Sequence, residues 1–200
     1  MHYTIIVWSH RKQSQSTKVG TYIKHIIEQL SKTTWVDIID LRNNPLPLRD
    51  EDGKHDTIRE PIKKTCEQSD GFIFIIPERN GMATPAIKNF FIYAKPEQFA
   101  NKPGLLVGVS AGRGGAYPVA ELRMSSYKNS QICYIPQHIL VQWVNDVLND
   151  NTLNGNTEKH DAIIKKRIQH SCKLLEQYTI ALQSVRNSNT LDLEQFRNGM

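Results

Sequence analysis

Apolar residues fall along this chain in two rhythms. Ile5-Ile6-Val7-Trp8, Phe72-Ile73-Phe74-Ile75-Ile76 and Leu105-Leu106-Val107 are unbroken runs rich in β-formers, the pattern of strands covered on both faces of a parallel sheet. Elsewhere apolar positions return every three or four residues, at Val19, Ile23, Ile26, Ile27 and Leu30, at Ile58, Ile62 and Cys66, and at Ile87, Phe90 and Phe91. That spacing lines one face of a helix. The pattern predicts strands over residues 3–8, 35–41, 72–76, 105–109 and, briefly, 131–134. Helices are predicted between them, over residues 57–68, from Pro85, over 117–124, and after residue 157, where Ile164, Ile168, Cys172, Leu175 and Leu182 share a face. Residues 136–148 are partly apolar and follow neither rhythm.

Strand and helix alternate about five times, which predicts an α/β fold with a doubly wound five-stranded parallel sheet and helices on both faces. The chain reads as one domain over residues 1–183 with a C-terminal tail over 184–200. In the strand order 2-1-3-4-5 the first and third strands are neighbours at the topological switch point, and ligands bind outside the carboxyl ends of the strands. Three loops stand there: residues 9–18, 77–84 and 110–115.

The first loop, Ser9-His10-Arg11-Lys12-Gln13-Ser14-Gln15-Ser16-Thr17-Lys18, is rich in hydroxyls and cations. It precedes a helix whose N-terminus offers free N–H groups and a positive dipole end, the outline of a phosphate site. Ser14 or Ser16 serves equally well as an ordinary N-cap. The second loop runs from Pro77 to a helix start at Thr84-Pro85, an N-cap followed by the first helical position. The third carries Gly112, Gly114 and Gly115, which let backbone approach a flat or charged ligand closely.

Composition narrows the field. The three cysteines, Cys66, Cys133 and Cys172, are odd in number and widely spaced, so neither a disulfide framework nor a metal site is expected, and a reducing, cytoplasmic setting is. The first apolar run is too short for a signal peptide or a membrane span. The net charge of +5 favours anionic partners, but the cations are dispersed apart from Lys165-Lys166-Arg167, a solvated helix face. Neither nucleic acid nor membrane is expected as a partner. The histidines form no H-E-x-x-H and no triad-like pattern.

Three motifs resemble the NADPH-dependent FMN reductases of flavodoxin-like fold, a family with quinone, azo-dye and chromate reductases. The segment from Ser9 to Ser16 is similar to that family's phosphate loop, G-S-x-R-x-x-S-x-N. Pro77-Glu78-Arg79-Asn80-Gly81 followed by Pro85-x-x-Lys88-Asn89 is similar to its P-E-Y-N-G signature, the most specific of the three. Ser110-x-Gly112-x-Gly114-Gly115 with Leu122-Arg123 resembles its third flavin loop, and Pro45-Leu46-Pro47-Leu48 another family loop. The resemblance extends to about Leu182 and departs at Trp8, where the family has Gly, and at Arg79, where it has Tyr.

This resemblance implies that Ser9, Arg11, Ser14 and Ser16 bind the FMN phosphate. It places Pro77, Glu78, Arg79, Asn80 and Gly81 along the isoalloxazine, and Ser110, Gly112 and Gly115 on its pyrimidine side. It implies hydride delivery from NADPH or NADH to flavin N5, then electron transfer to a small acceptor such as a quinone, azo compound, metal oxyanion or flavin. No catalytic side chain is needed, since the flavin carries the chemistry. The alternative is a non-enzymatic FMN-binding electron carrier or regulatory protein with a degenerate pocket. The resemblance also implies a homodimer or homotetramer, with Ile87, Phe90 and Phe91 as candidates for the contact.

Overall fold

The computed structural model describes residues 1–8, 14–30, 34–49, 56–149, 155–188, 192, 193 and 195. A parallel sheet ordered β2-β1-β3-β5-β6 is built from Trp35–Asp40 (β2), His2–Val7 (β1), Gly71–Arg79 (β3), Pro103–Val109 (β5) and Cys133–Val141 (β6). This is the predicted order, with one addition: Met82–Ala83 (β4) pairs antiparallel with the end of β3. Among the described residues the helices are Gln15–Leu30 (α1), Asp56–Gln68 (α2), Pro85–Tyr93 (α3), Pro96–Phe99 (α4), Ala116–Ser125 (α5) and Gly155–Arg186 (α6).

Strand side chains alternate between two cores, as a period of two requires. Ile5, Val7, Ile73, Ile75, Leu105 and Val107 face α1 and α6, packing on Val19, Ile23, Ile164, Ile168 and Leu175. Ile6, Phe72, Phe74, Ile76 and Leu106 face the other way, against Ile62 of α2, Ile87 and Phe90 of α3, Phe99 of α4 and Leu122 of α5. Phe72 lies 4.7 Å from Phe99 with the rings tilted by 41°, and Phe74 lies 5.0 Å from Phe91. Each such side chain, fully withdrawn from water, stabilises the fold by roughly 1.5–3 kcal/mol.

The structure corrects the expectation for Ile87 and Phe90 as contacts to a second subunit. Ile87 and Phe90 are 0% and 3% exposed within this chain, and Phe91 packs on the same core.

The last strand differs from its prediction. It begins at Cys133 and continues to Val141 through Pro136. A bulge explains both the length and the proline: Gly104 pairs with Tyr134 and Leu106 with His138, leaving extra residues on β6 between them. Pro136 sits in that bulge on an edge strand, where no ladder hydrogen bond is asked of it. Arg123 of α5 donates from Nη2 to the carbonyls of Ile135, Pro136 and Gln137 at 2.7, 3.2 and 3.2 Å. The final helix continues past Ser184, and Arg186 donates to the Asn101 carbonyl at 3.1 Å.

Lys102, 8% exposed, caps the end of α2 by donating to the carbonyls of Cys66 and Glu67 at 3.0 and 2.9 Å. Burial lowers its pKa from 10.5 to about 8, ahead of smaller effects of both signs from neighbouring charges. The folded chain therefore releases this proton at a lower pH than the unfolded chain, and stability rises between those two values. Urea unfolding of wild type and Lys102→Met should show the wild type gaining about 2 kcal/mol relative to the variant between pH 7 and pH 10. A gap independent of pH would refute this.

Candidate functional site

The carboxyl end of β3 does not stop at the apolar run. It continues through Pro77, Glu78 and Arg79 because β4 gives it an antiparallel partner, with Glu78 opposite Ala83 and Arg79 opposite Met82. Only Asn80 and Gly81 lie between them, at φ of 51° and 74°. Two positive values at a two-residue turn are what a type I′ hairpin requires, and Asn-Gly is the dipeptide that adopts them most readily. Glu121 of α5 pins the hairpin: its carboxylate accepts from the Ala83 N–H at 2.8 Å and from Lys88 Nζ at 2.5 Å. The Lys88 hydrogen bond is the main reason this carboxyl titrates below its ordinary range. Asn89 donates to the carbonyls of Leu46 and Pro47 at 3.1 and 2.9 Å, and the Tyr93 hydroxyl to Pro47 at 3.0 Å. Lys88 and Asn89 thus hold the scaffold around the turn.

On α1, Ser14 is the N-cap: its Oγ accepts the Thr17 N–H at 3.2 Å. Ser16, 3% exposed, and Gln15 line a cleft at this helix start. The first turn carries no acidic residue, so the positive end of the helix is uncompensated by its own side chains. Ser9 and Arg11 lie outside the described residues. Trp8, half-buried, packs against the core on the face of α2 to α5.

The loop after β5 is joined to the hairpin by Glu78, whose Oε2 accepts the Gly115 N–H. Both glycines on the loop side of this contact have a reason. Gly115 caps α5 at φ 103°, and a Cβ on Gly114 would run into the Glu78 carboxylate. Ser110 Oγ accepts the Gly112 N–H at 3.2 Å. The Ser110 and Gly112 carbonyls accept from the Val144 and Trp143 N–H groups, each at 3.1 Å.

Val144 and Trp143 belong to the segment that followed neither rhythm. Residues 142–149 form an irregular turn after β6 with positive φ at Trp143 and Leu148, 52° and 55°. Gln142 donates to the Arg113 and Gly114 carbonyls, and Asp161 of α6 accepts the Leu148 N–H at 2.7 Å. Lys18 reaches this turn as well, donating to the Val144 and Val147 carbonyls at 2.6 and 2.7 Å and to Asn149 Oδ1 at 2.8 Å.

These elements enclose a cleft of about 550 Å³ at the carboxyl edge of the sheet. Its walls are Gln15 and Ser16 from α1, Pro77, Glu78 and Arg79 from β3, and Thr84 at the start of α3. Val109 and Ala111 follow from the end of β5, and Val144 and Asn145 from the last turn. Of the candidates read from sequence, Ser16, Pro77, Glu78 and Arg79 come together in these walls. Asn80, Gly81, Ser110, Gly112 and Gly115 support the surrounding loops. Gln15, Thr84, Val109, Ala111, Val144 and Asn145 were missed, the last two because periodicity left their segment unassigned.

A second groove, of about 570 Å³, lies between the C-terminal ends of α3 and α5 and is lined by cations including Lys95 and Lys128. No strand end contributes to it, so the switch-point cleft is the better candidate despite its equal size. Among the described residues no cluster of His, Cys, Asp or Glu could hold a metal, and no helix is long and apolar enough to cross a membrane.

The cleft fits a polar ligand on its own terms. Gln15 Oε1 and Thr84 Oγ1 are both buried and have no hydrogen-bond partner among the described residues, and an unsatisfied buried polar atom costs about 1–3 kcal/mol unless a ligand or water completes it. Backbone at a helix N-terminus, polar atoms in the walls and an exposed Arg79 suit an anionic cofactor with a planar group, as FMN is.

Comparisons with known proteins agree. The structure is similar to an oxidoreductase from Corynebacterium diphtheriae (TM-score 0.69, 14% identity, 90% of this chain and 97% of that one). It is similar to FerB, a flavoenzyme NAD(P)H:(acceptor) oxidoreductase from Paracoccus denitrificans (TM-score 0.68, 21% identity, 88% and 98%). A third likeness is to an NAD(P)H:quinone oxidoreductase from Methanothermobacter marburgensis (TM-score 0.61, 14% identity, 88% and 97%). At these identities the likeness is one of fold. No sequence among the curated proteins matches the chain. Residues 1–145 match the family profile of NADPH-dependent FMN reductases. The chain belongs to that family, and is an NAD(P)H-dependent flavin oxidoreductase with FMN as its cofactor.

Proposed function

We propose that the chain passes electrons from NADPH or NADH to a small acceptor at the switch-point cleft, a quinone first, with azo compounds, metal oxyanions and free flavin in the same class. The observation that carries this reading is the pairing of two unpartnered buried polar atoms, Gln15 Oε1 and Thr84 Oγ1, with an α1 N-terminus at one cleft. Quinone is placed first as the acceptor to test because a structure of the same fold is a quinone oxidoreductase.

When bound, FMN supplies hydride acceptance and electron release, and the chain supplies position and charge. In this reading Ser16, Ser14 and the α1 N–H groups hold the phosphate, together with Ser9 and Arg11. Pro77 and Arg79 flank the ring, and Ala111 faces its pyrimidine side from a loop whose shape Ser110 and Gly112 set through their bonds to residues 141–144. The Glu78 carboxylate is engaged by Gly115, so its part is to fix the hairpin against the β5 loop. Asn80 and Gly81 act by setting the hairpin turn.

Three outcomes test the reading. Anaerobic NADPH or NADH should bleach the flavin absorbance of the loaded protein, and adding a quinone should restore it; a bound flavin that neither nucleotide bleaches would favour an electron carrier instead. Ser14→Ala should cost the protein without FMN about 1 kcal/mol through its lost cap, and should weaken FMN binding roughly 5- to 150-fold if the hydroxyl also meets the phosphate. Lost stability with unchanged affinity would assign Ser14 to the helix alone. Arg79 places a cation at the cleft, which favours added negative charge beside it. Arg79→Tyr should therefore lower the midpoint potential of the bound cofactor, and an unchanged potential would remove Arg79 from this role.

A further inference from the structure

Lys18 sits in a stretch whose cations invite a phosphate-binding role, but its ammonium is spent elsewhere. A lysine has three N–H donors, and three acceptors meet them: Val144 O, Val147 O and Asn149 Oδ1, at 2.6, 2.7 and 2.8 Å. Burial pulls this ammonium below lysine's ordinary pKa, while the carboxylates of Asp161 and Asp146 oppose the shift.

The acceptors matter for where they lie. Val144 is itself a cleft residue, next to Asn145, while Gln15 and Ser16 line the same cleft from the helix that carries Lys18. One short stretch of α1 therefore provides a wall of the cleft and also holds another. The held turn has irregular backbone, with two non-glycine residues at positive φ, and such a segment keeps its shape only where its surroundings determine it. Asn149 extends the clamp by donating from Nδ2 to the Asn145 carbonyl at 2.8 Å.

We propose that Lys18 is a positioning residue: by saturating its donors on the 142–149 turn it holds Val144 and Asn145 in place as a wall of the FMN cleft, and its loss speeds FMN release. This rests on the reading of the cleft as the FMN site.

The test compares Lys18→Met with Arg123→Met, which removes a cation from backbone carbonyls on the β6 bulge, outside the cleft walls. Lys18→Met should raise the FMN dissociation constant roughly tenfold, mostly through the off-rate, and speed amide hydrogen exchange across residues 142–149. Arg123→Met should lower stability yet leave both readouts as in wild type. Asn149→Ala, which removes one acceptor and keeps the cation, should shift both in the same direction by less and decides the matter if Lys18→Met does not fold. Wild-type affinity and exchange in folded Lys18→Met, or equal weakening in Arg123→Met, would overturn the proposal. A wild-type protein that binds no FMN in a fluorescence titration would overturn the underlying reading, and the positioning role with it.

Discussion

The Glu78 carboxylate accepting the Gly115 N–H is the contact on which the shape of the site depends. Parallel strands end with backbone groups that no neighbouring strand can pair, and buried backbone groups must be paired. At the carboxyl edge the pairing is done by side chains reaching between loops. Glu78 joins the hairpin to the β5 loop, Gln142 joins that loop to the last turn, and Glu121 anchors the hairpin to α5. The cleft is the space left when these loops are fastened to one another rather than packed together.

Much of this was legible in the residues. The β3 and β5 runs are apolar throughout because both faces of those strands are covered, so their type followed from the runs themselves, while their order followed only once the alternation of strand and helix was read as a doubly wound fold. The helices followed from their periodic faces. What escaped has specific causes. The β6 strand was cut short because Pro136 and the bulge break its pattern. Asn80-Gly81 was taken as part of a ligand loop, though the dipeptide is itself a hairpin signal; the two-residue β4 is too short to show any period. In the site, Ser16 and residues 77–79 were found through their motifs. Gln15 was not, because nothing in a sequence says which polar atom will be buried without a partner, and Asn145 was not, because its segment follows no period.

The charge balance has a similar lesson. A net +5 reads as affinity for anions, yet several of the cations serve backbone carbonyls within the fold. Lys24 donates to Val36 at 2.5 Å, Lys102 to Cys66 and Glu67, Arg123 to the β6 bulge and Arg186 to Asn101. A carbonyl at a helix end or a bulge attracts a cation as a carboxylate does, but it carries no formal charge. The positive sum therefore overstates what remains for a ligand.

The bulge at Pro136 bears on more than the shape of one strand. β6 is an edge of the sheet, and an edge with regular unpaired N–H and C=O groups is a template on which another chain can add a strand. At the bulge Pro136 has no N–H to offer, the extra residues break the spacing of the remaining groups, and Arg123 already occupies three of the carbonyls. Along this stretch the β6 edge offers another strand no regular template to extend.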